Sequence, residues 1–255
     1  MVGPLRPSIG FGSVGGFTYL IREWVPGRPV LVAGCTPAVL DQVLSAVATQ
    51  AGLAPGGTQD WSSYVLRVLF SDDWDGLSPL RDTTPATAEL LAVCRRIAAT
   101  TSSRRLPRGD FVHGDFNFAN ILVRDDGGIA ILDMEQAGRG TRAYDLATLF
   151  MVTRWPGEEL DEDLQNRVRR AGEEVAGEAV FRLCLLSIVL DWTRFGTSHW
   201  PESHVEQFSH RWGAFPRACL LGLRTVREGS LNGRLLTVVA VDSVTPTRAR
   251  AHGLA

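Results

Sequence analysis

The chain has 255 residues, 45% of them hydrophobic and 21% charged, with a formal net charge of −2. This composition suits a globular protein built on one large domain, or one domain plus a fragment. The near-neutral balance excludes a basic field able to hold nucleic acid or an anionic membrane surface. All 26 basic residues are Arg and none is Lys, so no ammonium side chain is present to grip a phosphate or form a Schiff base.

The four cysteines, Cys35, Cys94, Cys184 and Cys219, show no C-x-x-C spacing and read as free thiols of a reducing compartment. The strongly apolar run Leu183 to Leu190 is too short to span a bilayer. Residues 1–20 lack the charged start and apolar stretch of a signal peptide. A cytoplasmic protein is expected.

In chain order, the alternating, β-rich residues 18–25 predict a strand, stopped by Pro26-Gly27-Arg28-Pro29. Thr36 and Pro37 then open a helix. Val39, Leu40, Val43, Leu44 and Val47 share one of its faces, and Gly52 ends it. Helical spacing returns over 61–70 and from Thr84-Pro85 to about Thr100. Short strands are predicted at Phe111-Val112, Ile121 to Val123 and Ile129 to Leu132, the last two joined by the turn Asp125 to Gly128. Helices follow over about 143–154, 161–175, 178–195 and 202–226, with Pro216 expected to kink or split the last. Residues 232–255 are expected to form a loosely held tail.

The stretch from Phe111 to Glu135 carries the chemistry. Asp115 and Asn120 lie five apart in a loop, and Asp133 directly follows the second hairpin strand. Folding 121–132 back on itself brings Asp133 beside the loop that enters the first strand, near Asn120 and Asp115. Phosphoryl transfer needs such a set: a carboxylate to orient a hydroxyl and take its proton, and oxygen ligands for Mg²⁺. Mg²⁺ keeps several waters and takes few protein ligands, so an amide oxygen and one carboxylate suffice. Asp115 fits the first role, and Asn120 and Asp133 the second. Glu135 is either a further metal-side ligand or a solvated acid.

His113-Gly114-Asp115 followed by Asn120 resembles the catalytic loop H-x-D-x-x-x-x-N of the kinase superfamily. Gly114 in place of Arg, and Leu132-Asp133-Met134-Glu135 in place of D-F-G, look like the aminoglycoside phosphotransferase and choline kinase group. Ala143-Tyr144-Asp145-Leu146-Ala147 is similar to that group's Y-D-L-A helix. Tyr19 to Arg28 resembles its interlobe hinge. The likeness covers about residues 4–230. It implies a protein kinase-like α+β fold, with one to three N-terminal strands and a mainly helical C-lobe around a catalytic hairpin. Residues 1–29 would form a reduced N-lobe and hinge, 30–231 the catalytic domain and 232–255 the tail. It also implies ATP as donor, Mg²⁺ as cofactor and a small-molecule hydroxyl, of aminoglycoside or amino-alcohol type, as acceptor. Asp145 would brace the catalytic loop, His113 would prop it, and the backbone at Glu23, Trp24 and Val25 would receive the adenine.

Gly10 to Gly15 matches G-x-G-x-x-G but runs straight into the hinge strand, so a glycine turn between two strands is the better reading. The resemblance places roughly 80 to 90 residues ahead of the hinge, which here begins near residue 18. A late start or a decayed gene is expected, with weak nucleotide affinity and little turnover in the chain as it stands. An inactive pseudokinase that binds a ligand or partner is the alternative. A metal hydrolase built on His113 and Asp115 lacks a further His at ligand spacing, and His199, His204 and His210 fit no zinc pattern. Trp192, Trp200 and Trp212 read as core or pocket walls. Arg104, Arg105 and Arg108 read as a solvated loop, and the acidic run from Glu158 to Asp163 as a solvated helix start.

Overall fold

The computed structural model describes residues 10–14, 17–21, 24–30, 34–54, 59–101, 105–154 and 160–220, with the backbone alone for 10–14, 17–21 and 213–220. β1 (Gly10–Val14) and β2 (Phe17–Ile21) form an antiparallel pair in register from Gly10↔Ile21 to Val14↔Phe17. The glycine motif therefore begins inside a strand and leads to another strand, not to a helix. The strand expected over 18–25 already ends at Ile21, and Trp24 and Val25 lie in irregular backbone.

Pro26 to Pro29 does more than stop a strand. β3 (Arg28–Pro29) pairs antiparallel with β5 (Ile121–Val123), and Val30 N–H donates to Ile121 O at 2.8 Å. Gly27 permits this approach, because a Cβ there would lie 2.7 Å from the Val123 carbonyl oxygen. β5 in turn pairs with β6 (Ile129–Ile131), giving the order β3-β5-β6.

α1 (Pro37–Thr49) is capped by Thr36, whose hydroxyl accepts from Val39 N–H, and buries Leu40, Val43, Ala46 and Val47. α2 (Trp61–Phe70) is capped by Asp60. α4 (Pro85–Thr100) opens on a reciprocal cap between Thr84 and Thr87. Before it lies α3 (Leu77–Asp82), which the sequence pattern does not predict: one short turn containing Pro79 buries only Leu77 and Leu80. β4 (Asp110–Val112) pairs with β7 (Gly138–Gly140), another element absent from the expectations because Gly-Arg-Gly has no strand-forming side chains.

The core centres on α5 (Ala143–Val152), buried at every position from Ala143 to Met151. It packs against α6 (Glu162–Ala176) and α7 (Glu178–His199). Each fully buried Leu or Phe here contributes about 1.5–3 kcal/mol relative to an exposed one. α8 (Glu202–Leu220) lies on α4 and α7 and continues past Pro216 without splitting. The tail expected over 232–255 lies outside the described residues.

Trp212 is buried, while Trp192 and Trp200 pack partly against the core. Arg108 does not simply face solvent, as its Nε lies 3.8 Å from Asp60 Oδ2. Asp161 caps α6, accepting from Asp163 N–H at 2.9 Å. Cys35, Cys94 and Cys184 are free and buried, and burial pushes all three thiols up. Among the described residues no helix is long and apolar enough to cross a membrane.

Candidate active site

The loop from His113 to Asn120 leaves β4 and enters β5, and its shape is fixed by hydrogen bonds to its own side chains. Asn117 Nδ2 donates to Asp115 Oδ1 at 2.9 Å. Asn120 Nδ2 donates to Asp115 Oδ2 at 3.0 Å and to the Asp115 carbonyl at 2.8 Å. Both carboxylate oxygens are thus held by side-chain amides, with the group only partly buried. Asn117 Oδ1 accepts from Ala119 N–H at 2.9 Å, so the Asn117 amide is locked too. With its NH₂ committed to Asp115, Asn120 presents only its Oδ1 to anything else.

His113 and Asp145 hold the loop from below. Asp145 is fully buried on α5 and accepts from His113 N–H at 2.8 Å and Gly114 N–H at 3.0 Å. Burial pushes its carboxyl up to about 6, while those two backbone donors, the His113 ring and a side-chain hydrogen bond from Gln50 pull the other way. His113 Nδ1 accepts from Asp115 N–H at 3.2 Å, so Nε2 carries the hydrogen and donates it to Leu132 O at 2.7 Å. The buried ring therefore ties the catalytic loop to the end of the hairpin.

The hairpin base joins the two halves of the site. Ile121 pairs with Ile131, and Leu132 N–H donates to Asn120 O at 2.8 Å. Asp133 is the next residue along. It takes the left-handed backbone conformation, φ 59° and ψ 57°, the only non-glycine among the described residues to have positive φ. Its side chain is exposed and makes no hydrogen bond among the described residues to Asp115 or Asn120. Glu135 is exposed in the single 3-10 turn from Met134 to Gln136. The structure thus joins His113, Asp115, Asn120 and Asp145 in one bonded network, with Asp133 one residue beyond it.

Gly114 has φ +88°, and a Cβ there would lie 2.3 Å from Trp61 Cζ2 and 2.8 Å from Gln136 O. The Arg that protein kinases carry at this position has no room here. Of the hinge candidates, Glu23 lies outside the described residues, Trp24 is 83% exposed and Val25 is partly buried. Trp61, Asn117 and Gln50 hold this geometry but were not singled out from sequence. The signal for Trp61 was the small residue in the loop motif, which needs a large neighbour to fill the space. His199 Nδ1 donates to Phe195 O at 2.7 Å and stacks on that ring. Among the described residues no three His, Cys, Asp or Glu side chains gather as a metal cluster.

A mainly helical lobe folded around a short hairpin, with a His-Gly-Asp loop at its base, defines a protein kinase-like fold. Residues 10–182 match the phosphotransferase enzyme family, APH, and the chain belongs to that family. Among solved structures it is similar to the aminoglycoside phosphotransferase APH(4)-Ia, with TM-score 0.63 and 21% identity over 85% of this chain and 78% of that one. A thermostable mutant of that protein was crystallised as a ternary complex with ADP and hygromycin B. The choline kinase LicA from Streptococcus pneumoniae aligns with TM-score 0.54 and 11% identity over 83% of this chain and 74% of that one. A choline/ethanolamine kinase family protein from Mesorhizobium loti aligns with TM-score 0.55 and 14% identity over 84% and 73%. At these identities the structural likeness speaks for the fold. No curated protein matches the chain.

Proposed function

We propose that the protein moves the γ-phosphoryl group of ATP to a hydroxyl of a small molecule, with Asp115 as the base. The observation that carries this reading is the Asp115 carboxylate, held at both oxygens by the amides of Asn117 and Asn120 at the hairpin base. A carboxylate fixed in this way can aim a hydroxyl without reorganising. The hydroxyl oxygen forms a bond to the γ-phosphorus, the bond to the β-phosphate oxygen breaks, ADP leaves, and the hydroxyl proton passes to Asp115. Mg²⁺ would neutralise charge on the phosphates, and the donor set suits it: the free Oδ1 of Asn120 and the exposed carboxylate of Asp133 are the few oxygen ligands such an ion takes from protein. Asp145 and His113 act on the loop through its backbone, and Glu135, exposed in the turn after Asp133, is either a further metal-side ligand or a solvated acid. The backbone at Glu23 to Val25 is the proposed adenine edge. The acceptor is proposed to be an aminoglycoside-like molecule or an amino alcohol.

The test is transfer from Mg²⁺-ATP to a panel of amino sugars, amino alcohols and sugars. Asp115→Ala should lower the rate by about 10² to 10⁴-fold, the usual worth of a positioned base. A mutant that transfers as fast as the parent would sink the assignment. A second reading is a protein that binds nucleotide without transferring it, favoured by the complete absence of Lys. Nucleotide binding with no transfer to any acceptor would select it.

A further inference from the structure

Trp61 opens α2, far from Asp115 in sequence, yet it is 5% exposed and touches three parts of the site. One edge of its ring fills the space over Gly114. Its face stacks on Tyr144, beside the buried Asp145, with centroids 4.7 Å apart and planes at 28°. Its Nε1–H donates to Gln136 O at 3.0 Å. Among the described residues it is the only side chain hydrogen-bonded to the segment 133–137.

That last contact matters because of the backbone next to it. Asp133 sits at φ 59°, a conformation a side-chain-bearing residue keeps only where its surroundings hold it. One anchor lies on each side: His113 Nε2 on Leu132 O, and Trp61 Nε1 on Gln136 O. Both anchoring side chains also bear on the catalytic loop. The indole is itself fixed: Asp60 Oδ1 accepts from Ser63 N–H at 2.9 Å, and Arg139 N–H donates to Gln59 O at 3.1 Å. Arg139 and Arg108 lie 3.4 and 3.8 Å from Asp60 Oδ2. The Tyr64 ring meets the indole edge-on at 5.5 Å, its hydroxyl held by Asp191 at 2.6 Å.

We infer that Trp61 is a positioning residue that couples the Asp115 loop to the Asp133 turn, so that the base and the metal-side carboxylate keep one spacing. The inference rests on the phosphotransfer reading and assigns a role to a residue outside its motifs. The Asp133 turn is a short exposed segment with one 3-10 turn of its own. Its Gln136 end is fixed by a side chain that the loop side of the site also holds.

The experiment compares the full chain with Trp61→Phe, which keeps the aromatic stack and deletes the N–H donor. The Mg²⁺ concentration giving half-maximal ADP binding should rise about tenfold, the lower end of what losing a group that orients a metal ligand costs. ADP binding without Mg²⁺ should stay the same, and amide exchange should quicken at 133–137. A purely structural role would instead lower the melting temperature and weaken both kinds of binding alike. In the unmutated protein, Mg²⁺-ADP should slow exchange in the first turn of α2 together with 133–137, and ADP with EDTA should not. This arm needs no variant to fold. Unmutated protein that binds no Mg²⁺-nucleotide removes the phosphotransfer reading and this inference with it. Normal binding by the parent and identical Mg²⁺ dependence in Trp61→Phe remove the inference alone.

Discussion

Asp145 shows how a single buried charge can shape this site. Its carboxyl is wholly out of water, which raises its tendency to keep a proton, yet the two backbone donors it serves prefer the anion. With the folded value near 6, above that of the unfolded chain, the unfolded state loses its proton first as pH rises. Between about pH 4 and 6 the folded state therefore holds more protons, and this group's contribution to stability falls as pH increases. Below that window its contribution is fully present. Asp145→Asn, which cannot ionise, should flatten this part of the melting-temperature profile. Above about pH 6, where the parent's carboxylate accepts from both the His113 and Gly114 N–H groups, the mutant should leave one of them poorly satisfied, costing about 1–3 kcal/mol. A mutant profile parallel to that of the parent between pH 4 and 6 would assign the slope to other groups. Transfer activity should fall in the same mutant, because the loop that carries Asp115 hangs from those two N–H groups.

At the level of elements, the packing of α6 on α7 offers a clean test of how closely the helical lobe is fitted. Gly172 lies mid-helix in α6, where Ala would ordinarily gain about 1 kcal/mol in propensity. A Cβ there would lie 2.2 Å from Phe181 Cε2 and 2.3 Å from its Cδ2. Phe181 is buried and edge-on to Phe150 at 6.2 Å, so it has nowhere to go. Overpacking of this kind costs about 1–3 kcal/mol and outweighs the propensity gain. Gly172→Ala should therefore lower the melting temperature by a few degrees, at about 2–4 °C per kcal/mol for a chain of this size. α1, α4 and α6 were legible because their starts carry Thr-Pro or an acidic cap, and α5 and α7, which have no side-chain cap, because their apolar runs are longer than a strand. The hairpin was legible from its β-branched strands and Asp-Gly turn. β3 and β7 were not, because Arg-Pro and Gly-Arg-Gly become strands only when a neighbour's backbone reaches them. The glycines of β7 are chosen by close approach, with Gln59 O 2.6 Å from a Cβ at Gly138. α3 was missed because it is a single turn carrying a proline. Within the site, Asp115, Asn120, His113 and Asp145 could be read from one local motif and one helix. Trp61 could not, because its contacts join segments 53 to 83 residues away in sequence.

The molecule as a whole places a Lys-free surface around a site proposed to take a polyanion. In 255 residues no Lys side chain exists, and among the described residues Arg139 is engaged with Asp60 and Arg142 with Asp110 at 3.2 Å. Positive charge for the phosphates would then come chiefly from the Mg²⁺ proposed at Asn120 and Asp133. This makes nucleotide binding depend more steeply on Mg²⁺ than in a site where a side-chain ammonium shares the load. Ligand binding to the native state raises its stability by about 2.7 kcal/mol at a hundred times the dissociation constant. Saturating Mg²⁺-ATP should therefore lift the melting temperature by roughly 5–10 °C at 2–4 °C per kcal/mol. The same ATP with EDTA should lift it by a small fraction of that. Asp133→Asn should abolish most of the difference between the two conditions, since it removes the carboxylate proposed to hold the ion, while leaving the metal-free melting temperature near that of the parent because the side chain is exposed and makes no cap hydrogen bond. Equal stabilisation by ATP with and without Mg²⁺ would show that arginines or backbone amides carry the phosphates. The metal would then lose its place in the site, and Asn120 and Asp133 their proposed role.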